Sequence, residues 1–379
     1  MNRRNFLKVA GSTGIIVAAG SVVGCTPTEA LRPWKTAETQ YSDPMRRALS
    51  YAILAPNPHN RQPWVVDLKS DTEAVLSCDL DRLLPATDPF SRQIVIGLGC
   101  FLELFSMAAA EQGYRADIEY LPDGQGGDVL DRRAIAHLSL SASPDIAADP
   151  LFAHVLQRHT NRNPYDMDRT IDESILARIR QVAQGTVRIG TPDSAQQRDA
   201  LMLLTRDAMV TEYRTPQAMQ ESIDLMRIGR AEIDANPDGI ALRGAFLETL
   251  NMIGLLSREE LADPASQSYQ MGLDMIEKGA MASMGFVWIT TATNDRRAQI
   301  ESGRAYMRVA LHVAGEGLAM QPMSQALQEY SAMAPYYETI HDTLTNQAGE
   351  RVQMLARLGY ARNVDPAPRW PLATRIKES

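Results

Sequence analysis

The sequence predicts an α+β chain built of two fused α/β halves, packed on each other as a pseudo-dimer, with central antiparallel-type sheets flanked by helices. The first observation is a repeated spacing. Arg92 to Gly99 is seven positions and so is Arg296 to Gly303; Gly99 to Gly113 is fourteen and so is Gly303 to Gly317. The second is the shared context. Each run follows a strand-like stretch ("AVLSC", "GFVWITT"), has a helical pattern between its glycines, and places its second glycine where a helix would stop in a left-handed turn. The third is an inequality. Only the first half carries the stiff junction "APNPHNRQPW" (Ala55 to Trp64), and only the second carries "RHTNR" (Arg158 to Arg162). Two halves that each lack what the other has would build one composite pocket.

The elements follow in order. Residues 1–25 read as an export signal. Asn2-Arg3-Arg4-Asn5-Phe6-Leu7-Lys8 matches the twin-arginine pattern. The Gly- and Ala-rich apolar run behind it is shorter than the roughly 20 residues of a membrane span. It ends in "VVGC", which resembles a lipoprotein box with Cys25 as the lipid-bearing residue; the alternative is cleavage without a lipid. Residues 26–40 read as a tether. Half one, 41–150, opens with a helix capped by Asp43 and Pro44, with Met45, Ala48, Leu49, Ala52 and Ile53 on one apolar stripe. After the junction come strands "VVDL" and "AVLSC", then the first repeated helix. "SASPDIAADP" leads into half two, 151–379, which has its own opening helix "DESILARIRQVAQ" and strand "TVRIG". Between these and "GFVWITT" lies Glu212–Gly239, long and charged, either a lid or a pair of surface helices.

Composition narrows the chemistry. The 379 residues are 45% hydrophobic with a formal charge of −8, which argues against general nucleic-acid binding. Three cysteines, one of them Cys25, leave Cys78 and Cys100 in apolar stretches as buried thiols rather than a disulfide framework. The 18 methionines read as core filler. The six histidines show no metal-ligand spacing. "DGQGGD" lacks the strand-before, helix-after setting of a phosphate loop, and there is no G-x-S-x-G elbow.

Two segments remain as chemistry. Arg158 and Arg162, with Thr160 between, suit a phosphate if they are aimed together; otherwise they form a solvated helix end. In the junction, the prolines stiffen the backbone, and Asn57, Asn60 and Gln62 can donate and accept, as a heteroaromatic ring edge requires. The alternative is a rigid turn with Trp64 as a core plug. His59 fits either reading.

"ALSYAILAPNPHNRQPWVV" resembles the flavin-binding loop of the nitroreductase superfamily. "RHTNR" resembles that family's Arg-x-Ser-x-Arg/Lys element, "SGRAYMRVALHVAGEGLAMQPM" its long dimer-core helix and following loop, and "LARLGYARNVDPAPRWPL" its C-terminal strand and basic residue. The resemblance implies a nitroreductase-like fold of the Acg type, a single chain mimicking the family's homodimer and retaining one FMN. It implies that Pro56, Asn57, His59, Asn60 and Gln62 face the flavin. Arg158, Thr160, Arg162 and Arg369 would hold its phosphate and ribityl chain. Gln321, Pro322 and Met323 would lie near the ring, where the family's backbone N–H groups usually contact the flavin. The chain has Met323-Ser324 where the family often has Glu-Gly, and Asn57-Pro58 where Ser-Ser is common. The activity implied is ping-pong electron transfer to a small electrophile such as a quinone or nitroaromatic. With twin-arginine export to the periplasm and a lipid anchor on the membrane, the reductant would be a quinol or a partner protein rather than NAD(P)H. The alternative function is a flavin-holding protein with a covered pocket.

Overall fold

The structure, a computed structural model, describes residues 29–182 and 185–378. The segment expected to be an export signal, residues 1–25 with Cys25, lies outside the described residues.

The first half begins with two helices, α1 (Arg32–Thr36) and α2 (Pro44–Ala52). Asp43 caps α2, its carboxylate accepting from the Arg46 N–H at 2.8 Å. Strands β1 (Trp64–Leu68) and β2 (Glu73–Cys78) lead to helix α3 (Arg92–Ala110), and β3 (Tyr114–Tyr120) and β4 (Ala134–Ala142) follow. The second half runs through α4 (Glu173–Arg180) and β5 (Arg188–Gly190) into an insertion. The insertion holds α5 (Ala195–Arg214), α6 (Pro216–Asp224), β6 (Met226–Ile228), α7 (Gly229–Ala235), β7 (Ile240–Leu242), α8 (Ala245–Met252), α9 (Arg258–Ala262) and α10 (Gln267–Met281). The chain resumes with β8 (Gly285–Thr291), α11 (Arg296–Gly315), β9 (Ala319–Pro322), α12 (Ala334–Leu344), β10 (Arg351–Gly359) and β11 (Ile376–Glu378).

The duplication is written in the topology. One sheet has the order β1-β2-β4-β3 and the other β5-β8-β10-β9, the same path traced twice. Even the register irregularities correspond: one falls between β2 and β4, the other between β8 and β10. The short β11 breaks the symmetry by adding in parallel to β1, so the chain's end is sewn into the first half's sheet.

Helices α3 and α11 cross at the centre. The crossing is close because Gly99 and Gly303 meet there. A Cβ on Gly99 would lie 2.2 Å from the Ile300 carbonyl oxygen, and one on Gly303 would lie 2.0 Å from that of Ile96. Only hydrogen fits at these points. The Cys100 thiol donates to the Gly303 carbonyl at 3.1 Å. Both helices stop at the predicted glycines, Gly113 (φ 75°) and Gly317 (φ 69°). Their first residues match too. Arg92 is buried and donates to the Leu327 and Gln353 carbonyls of the other half; Arg296 is buried and donates to those of Phe90 and Asp128. Buried Glu103 of α3 joins the halves by accepting from Arg304 (2.6 Å) and Arg308 (2.9 Å) of α11. Cys78 and Cys100 are free and buried, and burial pushes both thiols up, Cys78 to about 12.

Residues 29–40 are not a tether. Leu31, Trp34 and Ala37 are buried in the main core, and the Trp34 indole donates to the Ala367 carbonyl at 2.8 Å. A tryptophan left on a free linker would expose a large apolar ring; docking removes it from water.

Candidate functional site

The junction after α2 is the most strained stretch of backbone. His59 (φ 47°), Asn60 (φ 52°) and Gln62 (φ 50°) all adopt the left-handed region within four positions. Each costs about 1 kcal/mol or more for a side chain with a Cβ. The conformation persists because the loop is pinned from several sides. The Asn57 carboxamide oxygen accepts from the Gln62 N–H at 2.7 Å. Gln62 is fully buried; its amide donates to the Pro237 carbonyl (2.7 Å) and accepts from the Trp370 N–H (2.9 Å). The Asn60 side chain donates to the Pro368 carbonyl and accepts from Arg369 at 2.6 Å. Trp64 is the core plug, fully buried against Phe101 with ring centroids 5.3 Å apart.

Three expectations are corrected here. Gln62 has no amide atom left to read a ligand; it staples the loop to the insertion and to the C-terminal segment. Arg369 cannot grip a phosphate as it stands, because its donors are spent. They go to the carbonyls of Ile53, Leu54, Ala55 and Pro368 and to Asn60. It is a cap for the carbonyl end of α2. Met323 is core: its side chain is buried in the second cluster and its N–H donates to the Leu355 carbonyl at 2.8 Å. Its neighbours are also engaged. Pro322 sits opposite Ala356 in the sheet, and the Gln321 side-chain oxygen accepts from Arg357 at 2.8 Å.

A fourth correction concerns "RHTNR". Arg158 ends a short helical turn, its N–H donating to the His154 carbonyl at 3.0 Å, but it is buried rather than solvated, and the segment is not a clustered clamp. Thr160 bridges Met320 as a strand would, and the Asn161 N–H donates to the Met320 carbonyl. Arg158 is buried and Arg162, four positions on, is exposed; neither is among the charges acting on the other, so they lie at opposite ends of the segment rather than clustered.

At one end, Arg158 is buried and makes a single long bond, to the Leu54 carbonyl at 3.4 Å. Arg369 lies within electrostatic reach, pushed down to about 9 first by burial and then by Arg158. The Trp34 ring covers both guanidiniums, at 6.0 and 5.4 Å from its centroid. His159 meets the same ring edge-on at 5.2 Å, and its Nδ1 is buried without a partner. Burial, then Arg158, holds His159 down at about 4.

At the other end, Arg162 is exposed to solvent, yet enough protein surrounds it to lower its pKa by desolvation, as for a side chain lining a concavity. It faces His59, which burial and then Arg162 bring down to about 4. His59 Nε2 lies 3.3 Å from the Ser222 hydroxyl, and its Nδ1 is unpartnered. Pro56 and Asn57 are half-buried beside it.

Among the described residues neither Arg158, Arg162 nor Arg369 forms an ion pair with a carboxylate. Buried cations without counter-charge are costly, and an anion would relieve them. The insertion closes over this arrangement. The Gly239 N–H donates to the Asn60 carbonyl, and Asp238 accepts from Arg82 (2.7 Å) and the Trp370 indole (3.1 Å). Glu221 accepts from the Ala86 and Thr87 N–H groups.

No family model matches the chain. Single proteins do. A Mycobacterium tuberculosis (H37Rv) protein provisionally named an NAD(P)H nitroreductase, Rv3131, is 25% identical over 333 residues, 87% of this chain and 89% of its own. Along most of its length the chain is similar to this nitroreductase-named relative. The match runs the length of both proteins, as expected for a nitroreductase of the single-chain Acg type. The M. tuberculosis protein provisionally named NAD(P)H nitroreductase acg is 37% identical over a shorter stretch, 22% of this chain and 24% of its own. Among solved nitroreductases, the FMN- and NADPH-dependent NfnB of Sphigopyxis sp. strain HMH is 16% identical, covering 61% of this chain and 99% of its own at a TM-score of 0.37.

Reading the sequence missed Trp34, His159 and Ser222. His159 lay inside the quoted motif and was passed over between its arginines. Trp34 had a signal of its own, a lone Pro-Trp in an otherwise polar linker. Ser222 had none, since only the folding of the insertion brings it to His59.

Proposed function

We propose that the chain is an FMN-dependent oxidoreductase of the nitroreductase type, passing electrons by a ping-pong sequence to a small electrophile such as a quinone or nitroaromatic. The observation that carries this is the pair of under-committed arginines, Arg158 and Arg162, at the two ends of an extended segment beneath the strained junction. A phosphate-bearing ligand with a polar ring at its far end fits that charge pattern. Arg158 would hold the phosphate with His159 beside it, Thr160 the polyol, and Arg162 the ring end with Asn57 and His59. The unpartnered Nδ1 atoms of His59 and His159 favour the same reading, since each is a neutral imidazole with an unused polar edge. Bound flavin supplies the electron transfer itself; the protein binds and orients it and excludes water.

The residues assign the other roles. Electrostatic orientation falls to Arg162, a fixed cation close to where ring charge would develop. His59, neutral at pH 7, presents a hydrogen-bonding edge rather than a charge. The twin-arginine signal and the Cys25 box make this, in our reading, a folded-state export to the periplasm with a lipid anchor on the membrane. The reductant there would be a membrane quinol or a partner protein.

A second reading, a flavin holder without turnover, is favoured by one feature. The segment 216–242 is bonded directly to the junction through Ser222, Pro237 and Gly239. The test separates the two. The full chain purified from the cytoplasm should show flavin absorbance, and the Arg158→Ala/Arg162→Ala double variant should lose it. Photoreduced wild type that reoxidises with quinones or nitroaromatics is an enzyme; one that holds flavin but does not react is a holder. Wild type that neither carries nor takes up FMN removes the assignment.

A further inference from the structure

The segment after the export signal lies across the arginine end of the site, and it is fastened there at four points. The Ala30 N–H donates to the Asp234 carboxylate of α7 at 3.3 Å. The Ala30 carbonyl accepts from the Arg369 N–H at 2.9 Å. The Trp34 indole donates to the Ala367 carbonyl, and the Ala37 carbonyl accepts from the Ser50 hydroxyl of α2 at 2.5 Å. One short stretch thus ties together the insertion, the C-terminal segment and the first half. These parts surround the site, and the stretch itself belongs to no repeated element.

The side chain it delivers is the one that covers the charge. Trp34 is buried, with both guanidiniums on its ring and His159 at its edge. No carboxylate among the described residues takes that place. A ring face partly offsets two cations and keeps water off them, which strengthens any charge–charge contact made beneath it. Arg158 keeps most of its donors unspent under this cover.

We propose that residues 29–37 form a latch over the arginine end of the site, with Trp34 as its closing side chain, and that the latch slows release of a phosphate-bearing ligand. The proposal rests on the FMN reading for the ligand's identity. It assigns to the segment following the export signal the task of retaining a cofactor loaded before export, because a flavin lost afterwards is not replaced.

The experiment follows dissociation of FMN from the loaded full chain after dilution, by the return of free-flavin fluorescence. Trp34→Ala should dissociate about tenfold faster, the scale of one desolvated cation–π contact. Trp34→Phe keeps a ring and loses only the bond to Ala367, so it should recover most of the slow release. Asp234→Ala, which unfastens the latch from α7, should fall between them. Trp34→Ala empties a core position and should lower the melting midpoint of the flavin-free protein, so release is followed well below that midpoint; association rates should be nearly unchanged in all three variants, which a general loss of structure would not allow. Release from Trp34→Ala within twofold of wild type, with both proteins flavin-loaded, overturns the latch and leaves the FMN reading standing. Trp34→Phe as fast as Trp34→Ala also overturns it. Wild type that holds no flavin overturns both.

Discussion

The centre of this molecule and its site are built on opposite plans. At the centre, α3 and α11 are close copies: each begins with a buried arginine bound to the other half's carbonyls, each has a glycine at the crossing, and each ends on a left-handed glycine. At the site nothing is copied. The strained junction exists in the first half only, the extended arginine segment in the second only, and a latch, an insertion and a C-terminal strand close around them. Packing preserves a duplicated interface because either helix changes only at the other's expense. A site needs one good copy, and the second is free to diverge.

The sharpest way to break that comparison is at the crossing. Gly303→Ala puts a Cβ 2.0 Å from a backbone oxygen that has no way to yield except by separating the helices. The expected loss is about 3 kcal/mol or more, read as the urea unfolding midpoint. Gly99→Ala should cost nearly as much, since its contact is 2.2 Å. A large difference between the two would mean that the crossing is not symmetric in energy.

Next come the two arginines that resemble each other on paper. Arg369→Ala strands the last carbonyls of α2 and the Asn60 oxygen, so it should cost about 3 kcal/mol in stability. Arg158→Ala removes a single long hydrogen bond; it should cost much less stability while abolishing flavin retention. If Arg369→Ala instead leaves stability intact and removes only the flavin, it is a phosphate ligand after all. Gln62→Leu is a milder probe of the same asymmetry. It leaves the Pro237 carbonyl and Trp370 N–H unpaired, for about 2 kcal/mol, and should speed amide exchange at Trp370 and proteolysis in residues 216–242.

The centre was legible in the sequence and the site only partly so, for a physical reason. Helix crossings and helix stops are set by local spacing: glycine is required at fixed positions, and the pairs 99/303 and 113/317 announce themselves. Site residues are defined by what they are left to bind once the fold has used its share. Arg158 and Arg369 are the same residue type in similar apolar surroundings. One kept its donors and the other lost them to carbonyls 314 to 316 positions away. No spacing rule records that. Likewise Gln62 and Met323 sit in resemblance-bearing motifs, but long-range contacts with Pro237, Trp370 and Leu355 decide how they are employed. Trp34 was misread because a linker was judged by its polar residues rather than by its one large ring.

The smallest expected effect separates the site from the centre by pH. His59 and His159 are held near 4 in the folded chain and rise to about 6.5 when it unfolds. Between those values the unfolded chain binds protons that the folded chain refuses. Their contribution to stability is therefore complete above about pH 6.5 and is lost as pH falls toward 4. Buried Asp88 and Glu212, whose pKa values are raised, act with the opposite sign over this range, so the useful readout is a difference. In His159→Gln, the slope of stability against pH between about 6.5 and 4 should flatten by up to about one proton relative to wild type. Phosphate or FMN at Arg158 would cancel part of the positive field on His159 and raise its pKa, so loaded wild type should move toward the variant. A slope that His159→Gln leaves unchanged would mean that this imidazole is already protonated in the fold, and with it would go the picture of an uncompensated cationic pocket awaiting its anion.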